Sequence, residues 1–119
     1  MKARGLNVSK YRNQKMEIDG ITFASKHEGQ RFAELKLLER AGEISDLQLQ
    51  RKFTLIGTQK DKAGKVLERP VTYVADFVYK DQDGRTVVED AKSSATRTPV
   101  YRLKKKLMLS IYGIRIQEV

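Results

Sequence analysis

The apolar positions change period several times along the chain, and each change marks an element. Met16-Glu17-Ile18 and Ile21-Thr22-Phe23 alternate about Asp19-Gly20, a dipeptide that accepts the positive φ angles of a tight turn, so the spacing predicts a short β-hairpin. Phe32, Leu35 and Leu38 then recur at helical spacing before Gly42, with Ser25 as N-cap and Glu28 three residues on, which predicts an amphipathic helix over about 26–41. Leu47, Leu49, Phe53 and Leu55 fall at odd positions of a strand, and Gly57 to Gly64 reads as a loop carrying Lys60 and Lys62. Residues 71–79 are apolar on both faces, as in a central strand covered on both sides. Asp81-Gln82-Asp83-Gly84 turns the chain into a returning strand, Thr86 to Lys92. Val100, Leu103, Leu107 and Ile111 mark one face of a second helix, Gly113 stops it, and residues 114–119 alternate as a last strand. Residues 1–13 are polar and aperiodic, which predicts a flexible basic arm ahead of a single domain, 14–119. The order of elements describes an α/β fold, a mixed sheet with flanking helices.

Charge adds a partner to this outline. The 119 residues carry 24 Lys+Arg against 15 Asp+Glu, a net charge of +9. Residues 1–15 hold five bases and no acid, residues 97–106 hold five more without an acid, and residues 16–96 are close to neutral with 13 bases and 14 acids. A cationic excess gathered in two flanks favours a polyanion. No apolar run exceeds three residues, so a membrane span and a signal peptide are not expected, and the chain is expected in the cytosol. Without cysteine and with His27 as the single histidine, zinc sites of the usual kind are excluded, and any metal should be a hard, oxygen-bound ion such as Mg²⁺.

The chemistry centres on Asp76, a carboxylate interrupting an otherwise apolar strand. On the returning strand Asp90 and Lys92 are two residues apart and share a face. If Gln82-Asp83-Gly84 closes the hairpin as a three-residue loop with Gly84 left-handed, Asp81 pairs with Arg85 and Asp76 faces Asp90; a loop of two or four residues would set Glu89 there instead. Two carboxylates on adjacent strands can bind Mg²⁺ beside a lysine that orients a water, the apparatus of phosphodiester hydrolysis, whereas an Asp90–Lys92 surface pair is the plainer alternative. Glu28 is open to two roles as well. It completes a capping box with Ser25, and it heads the stripe through Phe32 and Leu35 that faces the core. His27 and Gln50 are expected to be solvated, and Tyr101 and Tyr112 to pack. Three successive lysines, Lys104 to Lys106, would repel one another without a polyanion.

In combination these residues resemble a known group. Ile18-Asp19-Gly20-Ile21-x-Phe23-x-Ser25-Lys26-x-Glu28, Gln50-x-x-Phe53, Tyr73-x-x-Asp76-Phe77, Val87-Val88-Glu89-Asp90-x-Lys92 and Lys104-x-Lys106-Leu107 resemble a family of small phage-encoded proteins in the PD-(D/E)xK nuclease superfamily, over roughly residues 16–112. The resemblance implies a restriction-endonuclease-like α-β-β-β-α-β core and Mg²⁺-dependent DNA cleavage, with Mn²⁺ as a substitute. It places the catalytic roles on Glu28, Asp76, Asp90 and Lys92, the three acids as metal ligands. Ala75 stands where the motif has proline, and Ser93 where many members have glycine. Compact Holliday-junction resolvases are similar, which implies a homodimer acting on branched DNA inside a bacterial host cell. Lys10, Arg12, Lys60, Lys62, Arg102, Lys104, Lys105 and Lys106 would then hold phosphates. Two alternatives stay open: a non-catalytic nucleic-acid-binding protein of the same fold, and a restriction-like or packaging-associated nicking nuclease.

Overall fold

A computed structural model describes residues 15–92 and 96–119. Two of the expected phosphate contacts, Lys10 and Arg12, lie outside the described residues, as do the basic arm and Ser93. The chain divides into two compact units, Met1–Glu43 and Ile44–Val119.

In the first unit, β1 (Met16–Ile18) pairs antiparallel with β2 (Ile21–Phe23), Met16 opposite Phe23. The turn is the expected Asp19-Gly20, at φ 52° and 79°. Helix α1 (Lys26–Arg40) follows, with the Ser25 hydroxyl accepting the Glu28 N–H at 3.1 Å. Its buried face is Glu28, Gly29, Phe32 and Leu35, and the Phe32 ring lies 4.9 Å from that of Phe23. Glycine at 29 lets the hairpin approach closely, because a Cβ there would stand 2.6 Å from Met16 Sδ.

The second unit is built on a four-stranded sheet of order β3-β6-β7-β8, comprising β3 (Ser45–Ile56), β6 (Val71–Lys80), β7 (Thr86–Asp90) and β8 (Gln117–Glu118). Strands β3, β6 and β7 are antiparallel neighbours, and β8 lies parallel to β7. Between β3 and β6 the expected loop is instead a separate two-stranded ribbon, β4 (Gln59–Lys60) with β5 (Val66–Glu68). The apolar β6 is indeed the central strand, with Phe77, Val78 and Tyr79 all buried. The sheet supports one cluster that includes Phe53, Leu55, Tyr73, Ala75, Val78, Val88, Tyr101, Met108 and Ile116. Tyr73, Ala75 and Val78 are spaced by two and then three, so the alternation of β6 breaks across Asp76-Phe77. Opposite the break, between Leu49↔Phe77 and Arg51↔Ala75, Gln50 adopts φ 52°.

Helix α2 (Pro99–Tyr112) begins at Thr98, whose hydroxyl accepts the Tyr101 N–H, and ends at Gly113 with φ 69°. Its seating differs from the expected stripe. Tyr101 and Met108 are buried and Leu107 is partly so, while Val100, Leu103 and Ile111 are 61%, 57% and 48% exposed. The aromatic ring and the unbranched thioether reach the sheet one turn-width round from the branched residues, with the half-buried stems of Lys104 and Lys105 between them. Leu38 of α1, expected to face inward, is likewise exposed at 37%.

This seating makes a direct prediction. Met108→Ala should lower stability by about 3 kcal/mol, as a buried side chain leaving a cavity, whereas Leu103→Ala should stay within about 0.5 kcal/mol. Urea unfolding of both variants reads the difference, and the reverse ranking would place α2 on its other face.

Candidate active site

The β6–β7 turn decides which acids meet. Asp81 N–H donates to Arg85 O at 3.0 Å, Asp81 Oδ1 accepts the N–H groups of Asp83 and Arg85 at 2.9 Å each, and Gly84 takes φ 79°. This three-residue closure pairs Lys80 with Thr86, Val78 with Val88 and Phe77 with Glu89, which leaves Asp76 level with Asp90. Glu89 goes to the opposite side, buried, where it accepts a hydrogen bond from the Tyr79 hydroxyl.

Asp90 is 3% exposed and Asp76 half-buried. The Ala91 N–H donates to Asp76 Oδ2 at 2.9 Å, and Gln50 Nε2 donates to Asp76 Oδ1 at 3.2 Å. The Tyr73 hydroxyl donates a hydrogen bond to Asp90 Oδ2, and Lys92 Nζ stands 3.4 Å from Asp90 Oδ1. Burial, and next the Asp76 carboxylate within hydrogen-bonding reach, push the Asp90 carboxyl up to about 6; the Tyr73 hydroxyl and Lys92 oppose the rise without cancelling it. Burial and the bond to Asp90 raise the Tyr73 hydroxyl far above its ordinary value, so it remains a donor. Lys92 Nζ also lies 4.3 Å from the centroid of the Tyr101 ring.

Tyr101 ties this group to the sheet edge. Its hydroxyl donates to Glu118 Oε2 at 2.9 Å, and Glu118 pairs with Arg97 Nε at 2.9 Å and Lys105 Nζ at 3.1 Å. Asp90 and Glu118 are partners in the parallel β7–β8 ladder. The acid-free look of residues 97–106 is therefore a property of the linear chain, because Glu118 returns to that stretch in space. Burial favours a higher value for Glu118, but the donors around it hold its carboxyl below the usual range.

Of the residues expected to act together, the fold brings Asp76, Asp90 and Lys92 into one group within the second unit. Glu28 lies in the first unit, 9% exposed in the first turn of α1, and its N–H is held by Ser25. His27 is exposed, as expected. Tyr101 packs in the core and Tyr112 packs edge-on to Phe53, its hydroxyl on Thr54 O at 2.7 Å. Lys60, Lys62, Arg102 and Lys106 are exposed, and Lys104 and Lys105 half-buried. Sequence reasoning gave no role to Tyr73 or Glu118, and expected of Gln50 only that it be solvated; it is exposed and also holds Asp76. Tyr73 carried a usable signal, since a phenol in a strand apolar on both faces needs a buried acceptor; Glu118 carried none, because it lies 28 residues from Asp90.

A model of a protein family of unknown function, DUF1064, matches residues 8–116, and the chain belongs to that family. No curated protein and no solved structure matches it.

The raised Asp90 carboxyl makes stability depend on pH with a definite sign. Its value rises from 3.8 to about 6 on folding, so its contribution is complete below pH about 4 and is lost as pH climbs through about 6. In EDTA, wild type should therefore lose up to about 3 kcal/mol between those limits relative to Asp90→Asn, which cannot ionise there. Parallel pH profiles for the two proteins in thermal unfolding would show that Asp90 does not titrate in this range.

Proposed function

We propose that the protein is a Mg²⁺-dependent DNA endonuclease of the PD-(D/E)xK type. The observation that carries this reading is that the β6–β7 register sets Asp76 level with Asp90, their carboxyls within hydrogen-bonding reach, with Lys92 Nζ 3.4 Å from Asp90. The order α1, β3, β6, β7, α2, β8 supports a restriction-endonuclease-like core, with the β4–β5 ribbon inserted.

The donor set fits a hard divalent ion. It consists of two carboxylates, one pushed up in pKa by burial and by the other's charge, and a bound cation would relieve that repulsion. Among the described residues no group of three or more acids, histidines or cysteines is suited to a metal, so Asp76 and Asp90 form the proposed ligand set. Bound Mg²⁺ would polarise the scissile phosphate and acidify a water. The protein's own contribution is orientation. The Ala91 N–H and the Gln50 amide hold the two Asp76 oxygens, and the Tyr73 hydroxyl holds Asp90 Oδ2. Lys92, kept between Asp90 and the Tyr101 ring, supplies a positive charge where a water is aligned and where negative charge grows on the phosphate. Lys60, Lys62, Arg102, Lys104 and Lys106 are proposed phosphate contacts; Lys105 has first to share its charge with Glu118.

The proposed substrate is branched DNA in the cytosol, cut by a homodimer. The resemblance to compact Holliday-junction resolvases supports that choice of substrate, and among the described residues no helix is long and apolar enough to cross a membrane.

Purified protein with Mg²⁺ or Mn²⁺ should cut a four-way junction in preference to a flap or a linear duplex. Asp76→Asn and Lys92→Ala should each slow single-turnover cleavage by at least ~100-fold. Mg²⁺ should also raise the melting temperature of wild type and not of Asp90→Asn, a readout independent of cleavage. Full activity in those variants would remove the assignment. Salt-dependent DNA binding that survives EDTA and Asp90→Ala, without cleavage of any of the three substrates, would favour the non-catalytic reading.

A further inference from the structure

Glu118 gathers three donors at one edge of the sheet. Its Oε1 accepts from Arg97 Nε at 2.9 Å, and its Oε2 accepts from the Tyr101 hydroxyl at 2.9 Å and from Lys105 Nζ at 3.1 Å. A guanidinium, an ammonium and a phenol therefore converge on a single carboxylate. Arg102 brings a second guanidinium beside them, its Nη1 donating to the Arg97 carbonyl at 2.9 Å. The side chains of Arg97 and Lys105 are 43% and 37% exposed and that of Glu118 only 17%, so the cations stay open to solvent while the anion they share is largely covered.

Stability alone does not account for this arrangement. Ion pairs as open as these add little to it, and Tyr101 is already seated by the core cluster with Tyr73 and Met108. The donor set is instead the one that proteins bring to phosphate oxygens. Its place fits that use. Glu118 is the ladder partner of Asp90 on the edge strand β8, and Tyr101, whose hydroxyl meets Glu118, has its ring 4.3 Å from Lys92 Nζ. One side chain thus separates these donors from the proposed catalytic group. A nucleic-acid strand carries a phosphate at every nucleotide, so one laid across Asp90 and Lys92 brings a neighbouring phosphate within reach of them. We infer that Arg97, Lys105 and the Tyr101 hydroxyl form a seat for a backbone phosphate next to the scissile one, and that the Glu118 carboxylate fills this seat in the free protein until the phosphate displaces it. The inference rests on the reading of the protein as one that acts on DNA, and it adds Arg97 and Tyr101 to the residues that hold the strand. Glu118 keeps two flexible cations in place before DNA arrives, at the expense of affinity.

Binding of a labelled linear duplex in EDTA, followed by fluorescence anisotropy at several NaCl concentrations, reads this competition without cleavage. Glu118→Gln keeps an acceptor for the Tyr101 hydroxyl and removes the charge. It should bind about tenfold more tightly than wild type at low salt, with a plot of log affinity against log salt steeper by about one, the net charge set free. Glu68→Gln, which removes an exposed acid of the ribbon, controls for charge in general and should gain at most about twofold. In a background of Arg97→Ala with Lys105→Ala, Glu118→Gln should gain no more than that control. If Glu118→Gln loses its far-UV circular dichroism, Glu118→Asp, which keeps the charge and draws it back from the donors, carries the same comparison with a smaller gain. Affinity unchanged or weakened in Glu118→Gln would overturn the seat and leave Glu118 a structural anchor. A gain that persists without Arg97 and Lys105 would overturn it as well, as the effect of a distant charge. So would a higher melting temperature of wild type in inorganic phosphate at matched ionic strength, with Glu118→Gln leaving DNA affinity unchanged, which would assign the group to a free anion. Failure of Mg²⁺-dependent cleavage by wild type with these binding effects intact would remove the nuclease and leave the seat; cleavage with no effect of Glu118→Gln on binding would do the opposite.

Discussion

The turn from Asp81 to Arg85 governs the candidate site because it sets the register of two strands. Its ring of hydrogen bonds uses one carboxylate oxygen for two backbone N–H groups and a left-handed glycine for the reversal. Strand side chains have a period of two, so a slip of one residue would bring Glu89 opposite Asp76 and send Asp90 to the other side of the sheet. Lys92, two residues from Asp90, would leave with it. Three proposed catalytic groups therefore depend on a loop that contributes none of them. The same Asp-x-x-Gly-base closure recurs at Asp61 to Lys65, where it shapes the tip of the ribbon. One local solution gives both hairpins a rigid end, which in one case aligns acids and in the other presents lysines.

That register places two carboxylates side by side in a partly dry setting, an arrangement unfavourable for folding by itself. Burial and mutual repulsion raise the Asp90 carboxyl, and the surroundings offset the cost only in part. Tyr73 and Lys92 each take one Asp90 oxygen. Tyr101 supports Lys92 through its ring and is itself anchored by its hydroxyl on Glu118. The break in alternation at Asp76-Phe77, with Gln50 left-handed opposite, belongs to the same arrangement: it lets Tyr73, Ala75 and Val78 share one core while Asp76 stays half-buried. The proposed function puts this retained electrostatic tension and strained backbone to use in holding a cation beside a phosphate.

The positive charge is also distributed differently in space than along the chain. Arg97 and Lys105 converge on Glu118, so part of the second basic flank is neutralised next to the acids. Lys106 and Arg102 remain exposed on α2, and Lys60, Lys62, Lys65 and Arg69 are gathered on the ribbon. The exposed cations thus belong to separate elements, α2 and the ribbon, instead of one continuous flank.

Much of this outline was legible in the residues themselves, because its determinants are local. The Asp19-Gly20 turn, the Ser25 cap, the apolar central strand and Gly84 each depend on near neighbours, and each formed as expected. The pairing of Asp76 with Asp90 was also within reach, since one short turn links their strands. Other features were settled only by packing at a distance. The face of α2 that meets the sheet was chosen by Tyr101 and Met108 against a more regular stripe of branched residues. The loop after Gly57 closed into a ribbon. Gln50 and Glu118 became partners of Asp76 and Lys105 across 26 and 13 residues of chain. Period and turn chemistry act over a few residues and can be read in order; side-chain choice at a packed interface depends on shapes and charges supplied by remote segments, which only the folded chain brings together.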